Sequence, residues 1–363
     1  MTDNYTPKLL PIENLKWESF VHLIGKANAE IARFDGLLQS MPNPAVLLSP
    51  LTTQEAVLSS KIEGTRASLQ EVLEYEADPQ KENKKYEDIK EIINYRKALQ
   101  SAVKEIEKFS LSNRVIKNAH KILLHGVRGE NKDRGNFRKQ QVFIGKLGTT
   151  IQQASYVPPS ADKINALMTN LEKYIHSDEK DILVQLAIVH AQFEIIHPFF
   201  DGNGRVGRIL MPIFLYFKKV LSSPMFYLSA YFESHREEYY GQLLRVSQKN
   251  NWEGWIEYFL NAVTIQAKEN INKAKAIHQL YDTKKLIIAE LTRSQFSIKA
   301  LDFLFCNPIF NSPQFVKDSN IPKASAARIL KALTKGGVIR IIQKGIGSRP
   351  TTYIFTKLLS IVM

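Results

Sequence analysis

The chain has 363 residues, of which 44% are hydrophobic and 23% are charged, a composition typical of a folded protein with a buried core. A single cysteine, Cys306, excludes an internal disulfide and any zinc site built from several cysteines. The first residues lack a basic segment followed by an apolar run, and the most apolar stretch, Ile209 to Phe217, is too short to span a bilayer. We therefore expect a cytoplasmic protein without membrane contact.

The net charge of +13 is concentrated near the C-terminus. From residue 291 onward, eleven Lys or Arg residues stand against two acids, Asp302 and Asp318. A basic terminal segment is typical of proteins that bind polyanions, although a solvated lysine-rich surface gives the same count. Charge alone does not decide between these two interpretations.

Apolar residues spaced three and four apart predict a series of amphipathic helices in the first half of the chain. One follows the break in MPNPAVLLSPLTTQEA, starts near Thr53 and Glu55, and ends at Gly64. Between two later helices, QQVFIGKLGTTIQQ combines β-branched and aromatic residues with glycines, which predicts a β-hairpin. The other predicted helices cover residues 17–38, 87–109, 112–124 and 161–174.

A strongly apolar helix is predicted from Asp181 to Ile196, and it runs directly into His197-Pro198. Proline cannot continue a helix and disfavours the helical conformation of the residue before it. We therefore expect His197 at a helix exit, in an extended conformation. A further helix is predicted from Arg205 to Lys218, and a helix-rich linker from Trp252 to Ile287.

The segment that joins these helices, HPFFDGNGRVGR, has the residue types of an anion site. Gly202 and Gly204 permit backbone angles that turn consecutive N–H groups toward one point, at the N-terminus of the following helix. Arg205 and Arg208 add two guanidinium groups. Because the order GxxxxGK[ST] is absent, the segment is not a Walker P-loop. It predicts a different kind of phosphate-binding turn.

Two further side chains of this segment fit chemistry on a bound phosphate. Asp201 places a carboxylate beside the anion site, which makes sense if Mg²⁺ bridges it to the phosphate oxygens. His197 carries an imidazole, whose ordinary pKa is near neutral, and could accept a proton from an attacking hydroxyl. The structural alternative is a glycine-bearing helix–loop–helix with a buried histidine.

The whole segment resembles the Fic family motif, HPFx(D/E)GNGRxxR, at every defined position, and the similarity extends over roughly residues 10 to 265. The resemblance implies a mainly α protein with a Fic-type helical core and a β-hairpin flap. It implies transfer of AMP from ATP to a Ser, Thr or Tyr hydroxyl of a target protein, with Mg²⁺ as cofactor. His197 resembles the general base and Asp201 the Mg²⁺ ligand. The nucleotide-binding set of the motif is represented by Asp201, Gly202, Asn203, Gly204, Arg205, Val206, Gly207 and Arg208.

A second motif, SSKIEG, is similar to the inhibitory pattern (S/T)xxxE(G/N) of the same family. Ser59 and Glu63 are four residues apart and share one helix face. The resemblance implies that Glu63 pairs with Arg208, so that the positive charge of Arg208 is not available to the γ-phosphate of ATP. An ordinary surface helix is the alternative for this short pattern alone.

Two weaker similarities extend the expected nucleotide site. QVFIGKLG resembles the family's flap, whose exposed backbone could pair with an extended target segment. REEYYGQLLRVSQ resembles the stretch that lines the adenine pocket, with Ser247 where relatives often carry asparagine. His190 and Glu194 are interpreted as helix packing or support, because no further ligands join them in a metal site. The candidate nucleotide contacts from these two segments are Ile144, Gly145, Lys146, Leu147, Tyr239, Tyr240 and Ser247.

The basic C-terminal segment predicts a small α+β fold, a winged helix-turn-helix. Helices are expected at Ser312 to Asp318 and Lys323 to Lys335, followed by two strands around Gly345-Ile346-Gly347. The second helix would turn Ala326, Ile329, Leu330 and Leu333 toward the core. Its opposite face and the wing would contribute the candidate DNA contacts Arg328, Lys331, Lys335 and Arg349.

Taken together, the predicted organisation is an N-terminal helical region (1–105) with an inhibitory helix at about 53–64, a catalytic core (106–265), a helical linker (266–287) and a winged-helix domain (288–363). The expected partners are a target protein with a hydroxyl side chain, the chain itself, and DNA or a docking protein. A homodimer is compatible with the sequence. The alternatives are a DNA-bound regulator that only senses nucleotide, transfer from another nucleotide donor, and removal of AMP.

Overall fold

The computed structural model describes residues 5–79, 84–145, 148, 150–347 and 349–363. The chain is mainly helical, as predicted, with a small antiparallel sheet. The α-helices of the described residues are α1 (Trp17–Ser40), α2 (Pro44–Leu47), α3 (Ser49–Ile62), α4 (Leu69–Ala77), α5 (Tyr86–Ile106), α6 (Asn113–Leu123), α7 (Ile164–His176), α8 (Ile182–Ile196), α9 (Asn203–Phe217), α10 (Ser229–Ser234), α11 (Arg236–Lys249), α12 (Trp252–Thr292), α13 (Ser297–Cys306), α14 (Ser312–Ser319), α15 (Lys323–Lys335) and α16 (Thr356–Val362).

The chain forms two compact units, each assembled from separate stretches of sequence. The first comprises Met1–Asp35, Leu58–Gly64 and Asn94–Lys268. The second comprises Gly36–Val57, Thr65–Ile93 and Glu269–Met363. The domain boundaries expected from the sequence, which are contiguous, stay a prediction.

The core of the first unit is built on α8, which packs against α7, α9 and α11. Its sequence, ILVQLAIVHAQFEII, is apolar on every side, and nearly all of its side chains are buried. The Asp181 carboxylate caps its N-terminus by accepting the Val184 N–H at 2.9 Å. Trp255 of α12 is fully buried and donates its indole N–H to the Ala187 carbonyl at 2.8 Å. This packing holds α8 in the core, and the motif begins at its C-terminal end.

The segment predicted as a β-hairpin is described at residues 140–145, 148 and 150–153. Among the described residues of that segment, a single antiparallel bridge joins Ile144 to Tyr156, and a 3-10 turn covers Ile151–Gln153. The Ile144 N–H donates to the Tyr156 carbonyl at 2.8 Å, and the Ile144 carbonyl accepts the N–H groups of Ser155 and Tyr156. Both backbone groups of Ile144 are therefore already bonded within the flap.

The second unit contains a three-stranded antiparallel sheet with strand order β1-β3-β2, formed by β1 (Ile309–Asn311), β2 (Arg340–Gln343) and β3 (Thr352–Ile354). In register, Ile309 faces Ile354 and Arg340 also pairs with Ile354 on the other side. Helix α13 precedes β1, α14 and α15 lie between β1 and β2, and α16 follows β3. Helix α15 has the predicted bounds. Its buried residues are those expected: Ala326, Ile329, Leu330 and Leu333.

No helix within the described ranges is both long enough and apolar enough to cross a membrane.

Candidate active site

His197 ends helix α8 in the left-handed conformation, with φ 50° and ψ 61°. The prediction that His197 is extended is therefore wrong. The left-handed conformation avoids the right-handed helical region that Pro198 disfavours, and it lets the His197 N–H donate to the Phe193 carbonyl at 3.0 Å. The sharp turn sends the chain away from α8 and leaves the imidazole on the wall of a cavity.

The imidazole of His197 is held in one tautomer. Its Nδ1 lies 3.3 Å from the Glu194 carbonyl oxygen, which can only accept, so Nδ1 carries the proton. Nε2 is then an acceptor. Burial lowers the pKa of His197 to about 4, so the ring is neutral at pH 7. This is the state that a general base requires.

The loop after His197 is closed by the side chain of Asn203. Its Oδ1 accepts the Phe199 N–H and its Nδ2 donates to the Phe199 carbonyl, both at 2.9 Å. Gly202 has φ 79°, a left-handed conformation that favours glycine, and caps α9 at its N-terminus. Arg205, Val206 and Gly207 are buried in the first turns of α9. Helix α9 therefore starts directly at this loop, and the anion site at its N-terminus stays a prediction.

Asp201 lies at this helix terminus among cationic groups. Its Oδ2 is 3.1 Å from the Lys132 ammonium, and its Oδ1 is 3.6 Å from the Arg205 guanidinium and accepts the Gly202 N–H at 2.7 Å. Burial would raise the pKa of this carboxyl, but Arg205 and Lys132 outweigh that effect and the pKa falls below its usual value. The described residues contain no cluster of three or more His, Cys, Asp or Glu side chains that could hold a metal. A single carboxylate fits Mg²⁺ only where phosphate oxygens complete the coordination.

His120, which the sequence did not single out, fixes the backbone of Asp201. The Gly135 N–H donates to its Nδ1 at 2.8 Å, so Nε2 is protonated and donates to the Asp201 carbonyl at 3.0 Å. The ring stacks on Phe199 with centroids 3.8 Å apart, and burial lowers the pKa of His120 to about 4. The His120 ring is therefore neutral, and both of its nitrogens are hydrogen-bonded.

The pairing predicted from the SSKIEG motif is present in the structure. The Arg208 guanidinium donates to the Glu63 carboxylate at 2.6 Å, to the Ser59 hydroxyl at 2.8 Å and to the Ser59 carbonyl at 3.0 Å. Burial would raise the pKa of Glu63, yet attraction to Arg208 lowers it below its usual value. Glu63 also lies directly over Gly204, where an added Cβ would come within 2.3 Å of Oε1. The carboxylate thus occupies the space in front of both Arg208 and the start of α9.

Beside this pair lies a cavity of about 560 Å³, which is large enough for a nucleotide-sized ligand. Besides residues of the motif, the cavity is lined by residues of α11 and of the flap. The lining residues are Glu63, Phe143, Ile144, Gly145, Ser155, Tyr156, Glu194, Ile195, His197, Gly204, Arg208, Tyr239, Tyr240, Leu243, Leu244 and Ser247. The candidate contacts Ile144, Gly145, Tyr239, Tyr240 and Ser247 are therefore brought together, whereas Lys146 and Leu147 lie outside the described residues.

The two tyrosines of α11 differ in their surroundings. Tyr239 is buried, stacks on Phe232, and its hydroxyl lies 2.8 Å from His190 Nε2. Since His190 Nδ1 faces the Gly207 carbonyl at 3.3 Å and donates to it, Nε2 accepts a hydrogen bond from the Tyr239 hydroxyl. Tyr240 is 42% exposed and offers its ring to the cavity. The interpretation of His190 as a packing residue agrees with these contacts.

Glu194 is a second carboxyl in the cavity wall. Burial raises its pKa to about 8, so it is largely protonated at neutral pH. Gly207 permits its close approach, because a Cβ there would come within 2.2 Å of Oε1. Within the described part of the chain, that oxygen is buried without a hydrogen-bond partner.

The candidate DNA contacts lie in the second unit. Arg328, Lys331 and Lys335 are exposed on α15, on the side opposite its buried residues. Arg349 is exposed but pairs with Asp78 at 3.1 Å. Three of the four side chains therefore form one basic helix face, and the fourth is engaged by a carboxylate.

Fold and site define a mainly helical protein in which a basic, glycine-lined helix terminus opens onto an aromatic cavity. Residues 21–104 match the N-terminal domain of the Fic/DOC family, and residues 110–215 match the Fic/DOC family domain. Together the two matches span slightly more than half of the chain. The chain belongs to the Fic/DOC family.

Individual relatives agree with this assignment. The chain is 26% identical over 235 residues to a probable protein adenylyltransferase of Aquifex aeolicus, covering 62% of this chain and 66% of that protein. It is 30% identical over 109 residues to the protein adenylyltransferase Fic of Drosophila yakuba, covering 29% and 20%. The chain thus spans less than two thirds of the length of either relative. A crystal structure of a Fic family protein from Desulfovibrio desulfuricans G20 shares the fold, with a TM-score of 0.60 and 20% identity over 97% of this chain and 98% of that one.

Proposed function

We propose that this protein is an adenylyltransferase that moves AMP from ATP to a hydroxyl group of a target protein and releases pyrophosphate. The observation that carries the proposal is that His197, Gly204 and Arg208 line one cavity, with a neutral imidazole beside a helix N-terminus. The names of the two relatives support the same reaction class.

The proposed phosphate site follows from the charges at the start of α9. The backbone N–H groups from Gly202 to Gly204 face the α- and β-phosphates, and Arg205 and Arg208 neutralise the outer ones. Asp201 would hold Mg²⁺ together with the phosphate oxygens. When bound, Mg²⁺ supplies charge neutralisation of the triphosphate. The adenine ring lies in the cavity between the flap and Tyr240.

The proposed step is an in-line displacement at the α-phosphorus. The target oxygen forms the new P–O bond while His197 Nε2 accepts its proton, and the bond from the α-phosphorus to the bridging oxygen breaks. Pyrophosphate carries away the electron pair of that bond. Because Nδ1 stays bonded to the Glu194 carbonyl, the ring keeps its orientation as it becomes an imidazolium.

We propose further that the chain is autoinhibited. Glu63 pairs with the Arg208 guanidinium, which the γ-phosphate would otherwise bind. Its carboxylate also lies against Gly204, where the phosphates would bind. ATP would then bind, if at all, with its α-phosphorus displaced from His197. Relief requires only that the turn carrying Glu63 move away from Arg208.

The reaction is tested by the position of the label that reaches protein. With Mg²⁺ and lysate proteins, ATP labelled at the α-phosphate should label protein covalently, whereas ATP labelled at the γ-phosphate should not. Label transferred from γ would mean phosphorylation and contradict the proposal. Binding of nucleotide without covalent label would favour the alternative of a nucleotide sensor. Labelled UTP and pre-modified protein test the other donor and the removal of AMP.

A second candidate activity, DNA binding, is favoured by the exposed basic face of α15. If α15 lies in a winged helix-turn-helix, Arg328, Lys331 and Lys335 would contact phosphates. We expect the affinity for a mixed-sequence duplex to fall with salt, and the slope of log K against log salt to shrink by about 1 per contact when these residues are changed to alanine. Lys285→Ala, an exposed lysine of α12, is the matched control. If the duplex does not bind, or binds without salt dependence, DNA binding is contradicted and a docking protein is left as the partner.

A further inference from the structure

Arg138 is a buried arginine whose guanidinium donates to three backbone carbonyls. Its Nε donates to the His197 carbonyl at 2.9 Å, one terminal nitrogen donates to the Gln140 carbonyl at 3.0 Å, and the other to the Pro159 carbonyl at 2.5 Å. Its own N–H donates to the Pro198 carbonyl at 2.8 Å. One side chain thus joins the His-Pro turn to two points in the flanks of the flap.

We propose that Arg138 is a positioning residue that holds His197 in its left-handed turn and ties the flap to that turn. The inference rests on the proposed function only in naming the reaction that the positioning serves. The contacts themselves place the guanidinium on the backbone of the proposed base, because its Nε donates to the His197 carbonyl.

The cost of burying Arg138 argues for such a role. A buried guanidinium is expensive unless its donors are satisfied, and here each nitrogen meets a carbonyl oxygen. Burial lowers the pKa of Arg138 to about 10, which still leaves it charged at pH 7. The positive charge lies near His197 and helps to keep its imidazole neutral.

The geometry also explains why arginine is present. The three carbonyls belong to three separate stretches of backbone, and the planar fork of a guanidinium presents donors to all three at once. Lysine has a single nitrogen and can replace at most part of this set. Left-handed His197 lies in a sparsely populated region for a residue other than glycine, and such conformations persist only where the surroundings hold them.

The experiment compares Arg138→Met and Arg138→Lys with Lys139→Met, which removes a neighbouring charge that is exposed. For Arg138→Met we expect kcat of AMP transfer to fall by about a hundredfold, with the KM for ATP changed by less than about threefold, because a small displacement of a reacting group costs that much. Arg138→Lys should lie between, and Lys139→Met should match the unmodified chain. Loss of stability with kcat retained in the folded fraction would overturn the proposal.

A second measurement separates this inference from the proposed function. Nitrogen NMR of ¹⁵N-histidine-labelled protein reports the tautomer of His197, whose signal is the one absent in His197→Ala. We expect a protonated Nδ1 in the unmodified chain and in Lys139→Met, and a mixture of tautomers in Arg138→Lys. If no variant transfers AMP but the tautomer changes as expected, the proposed function fails and the positioning role stands. An unchanged tautomer in Arg138→Lys and Arg138→Met contradicts the role of Arg138.

Discussion

Glu63→Gly should raise the rate of AMP transfer by roughly tenfold to a hundredfold over the unmodified chain. The Glu63–Arg208 contact is a charge-assisted hydrogen bond, for which about 1.5–3 kcal/mol is typical, and this free energy must be given up before the γ-phosphate can use Arg208. Each 1.4 kcal/mol is about a factor of ten in that equilibrium. The rate of protein labelling from α-labelled ATP measures the effect directly.

Two control variants separate charge from backbone effects. Glu63→Gln keeps the volume over Gly204 but removes the charge, so its rate should lie between those of Glu63→Gly and the unmodified chain. Lys61→Gly places glycine in the same turn, at an exposed residue that pairs with Glu233, and should leave the rate unchanged. Equal rates in Glu63→Gly and the unmodified chain would refute autoinhibition by this residue.

His197→Ala should lower the rate of AMP transfer by about a hundredfold to ten-thousandfold, the usual contribution of a general base. The effect should fall on kcat, because in the proposed reaction the imidazole accepts the proton of the target hydroxyl and does not bind the triphosphate. The comparison is best made in the Glu63→Gly chain, where the signal is larger. His22→Ala, an exposed histidine of α1, is the control and should have no effect.

The pH dependence gives a second check on His197. Burial lowers its pKa to about 4, so the fraction of neutral imidazole hardly changes between pH 6 and 8. A lowered pKa means that the base form is lost only as the pH falls toward 4. A rate that climbs severalfold from pH 6 to 7 in the unmodified chain, but not in His197→Ala, would contradict this assignment.

Much of the candidate site could be predicted from the sequence, because the residues of the motif are neighbours along the chain. Three features of the site follow from residues that are close together in the sequence. Proline, glycine and apolar spacing predict the end of α8 at His197, the turn of the loop and the start of α9. The pairing of Glu63 with Arg208 joins residues 145 positions apart, and only the resemblance to the Fic family motif indicated it. In the C-terminal part, α15 was found at its true bounds because its apolar and basic faces alternate cleanly.

Residues that act through backbone contacts could not be found in this way. Arg138 stands in NFRKQ among other basic and polar residues, and nothing in that stretch distinguishes it from its exposed neighbour Lys139. His120 lies on an amphipathic helix, where its stacking on Phe199 has no sequence signal. The conformation of His197 was predicted wrongly because proline favours an extended residue before it, whereas here the His197 N–H keeps a hydrogen bond to the Phe193 carbonyl in the left-handed conformation.

The absence of a side chain at Gly204 has a consequence for engineering. The same bare stretch of backbone accommodates the Glu63 carboxylate now and, in the proposed reaction, a phosphate later. A methyl group placed there would collide with the Glu63 carboxylate and, in the proposed reaction, with the bound phosphate as well. A variant with permanently higher activity should therefore be sought by substituting Glu63 or Ser59, and not by substituting Gly204.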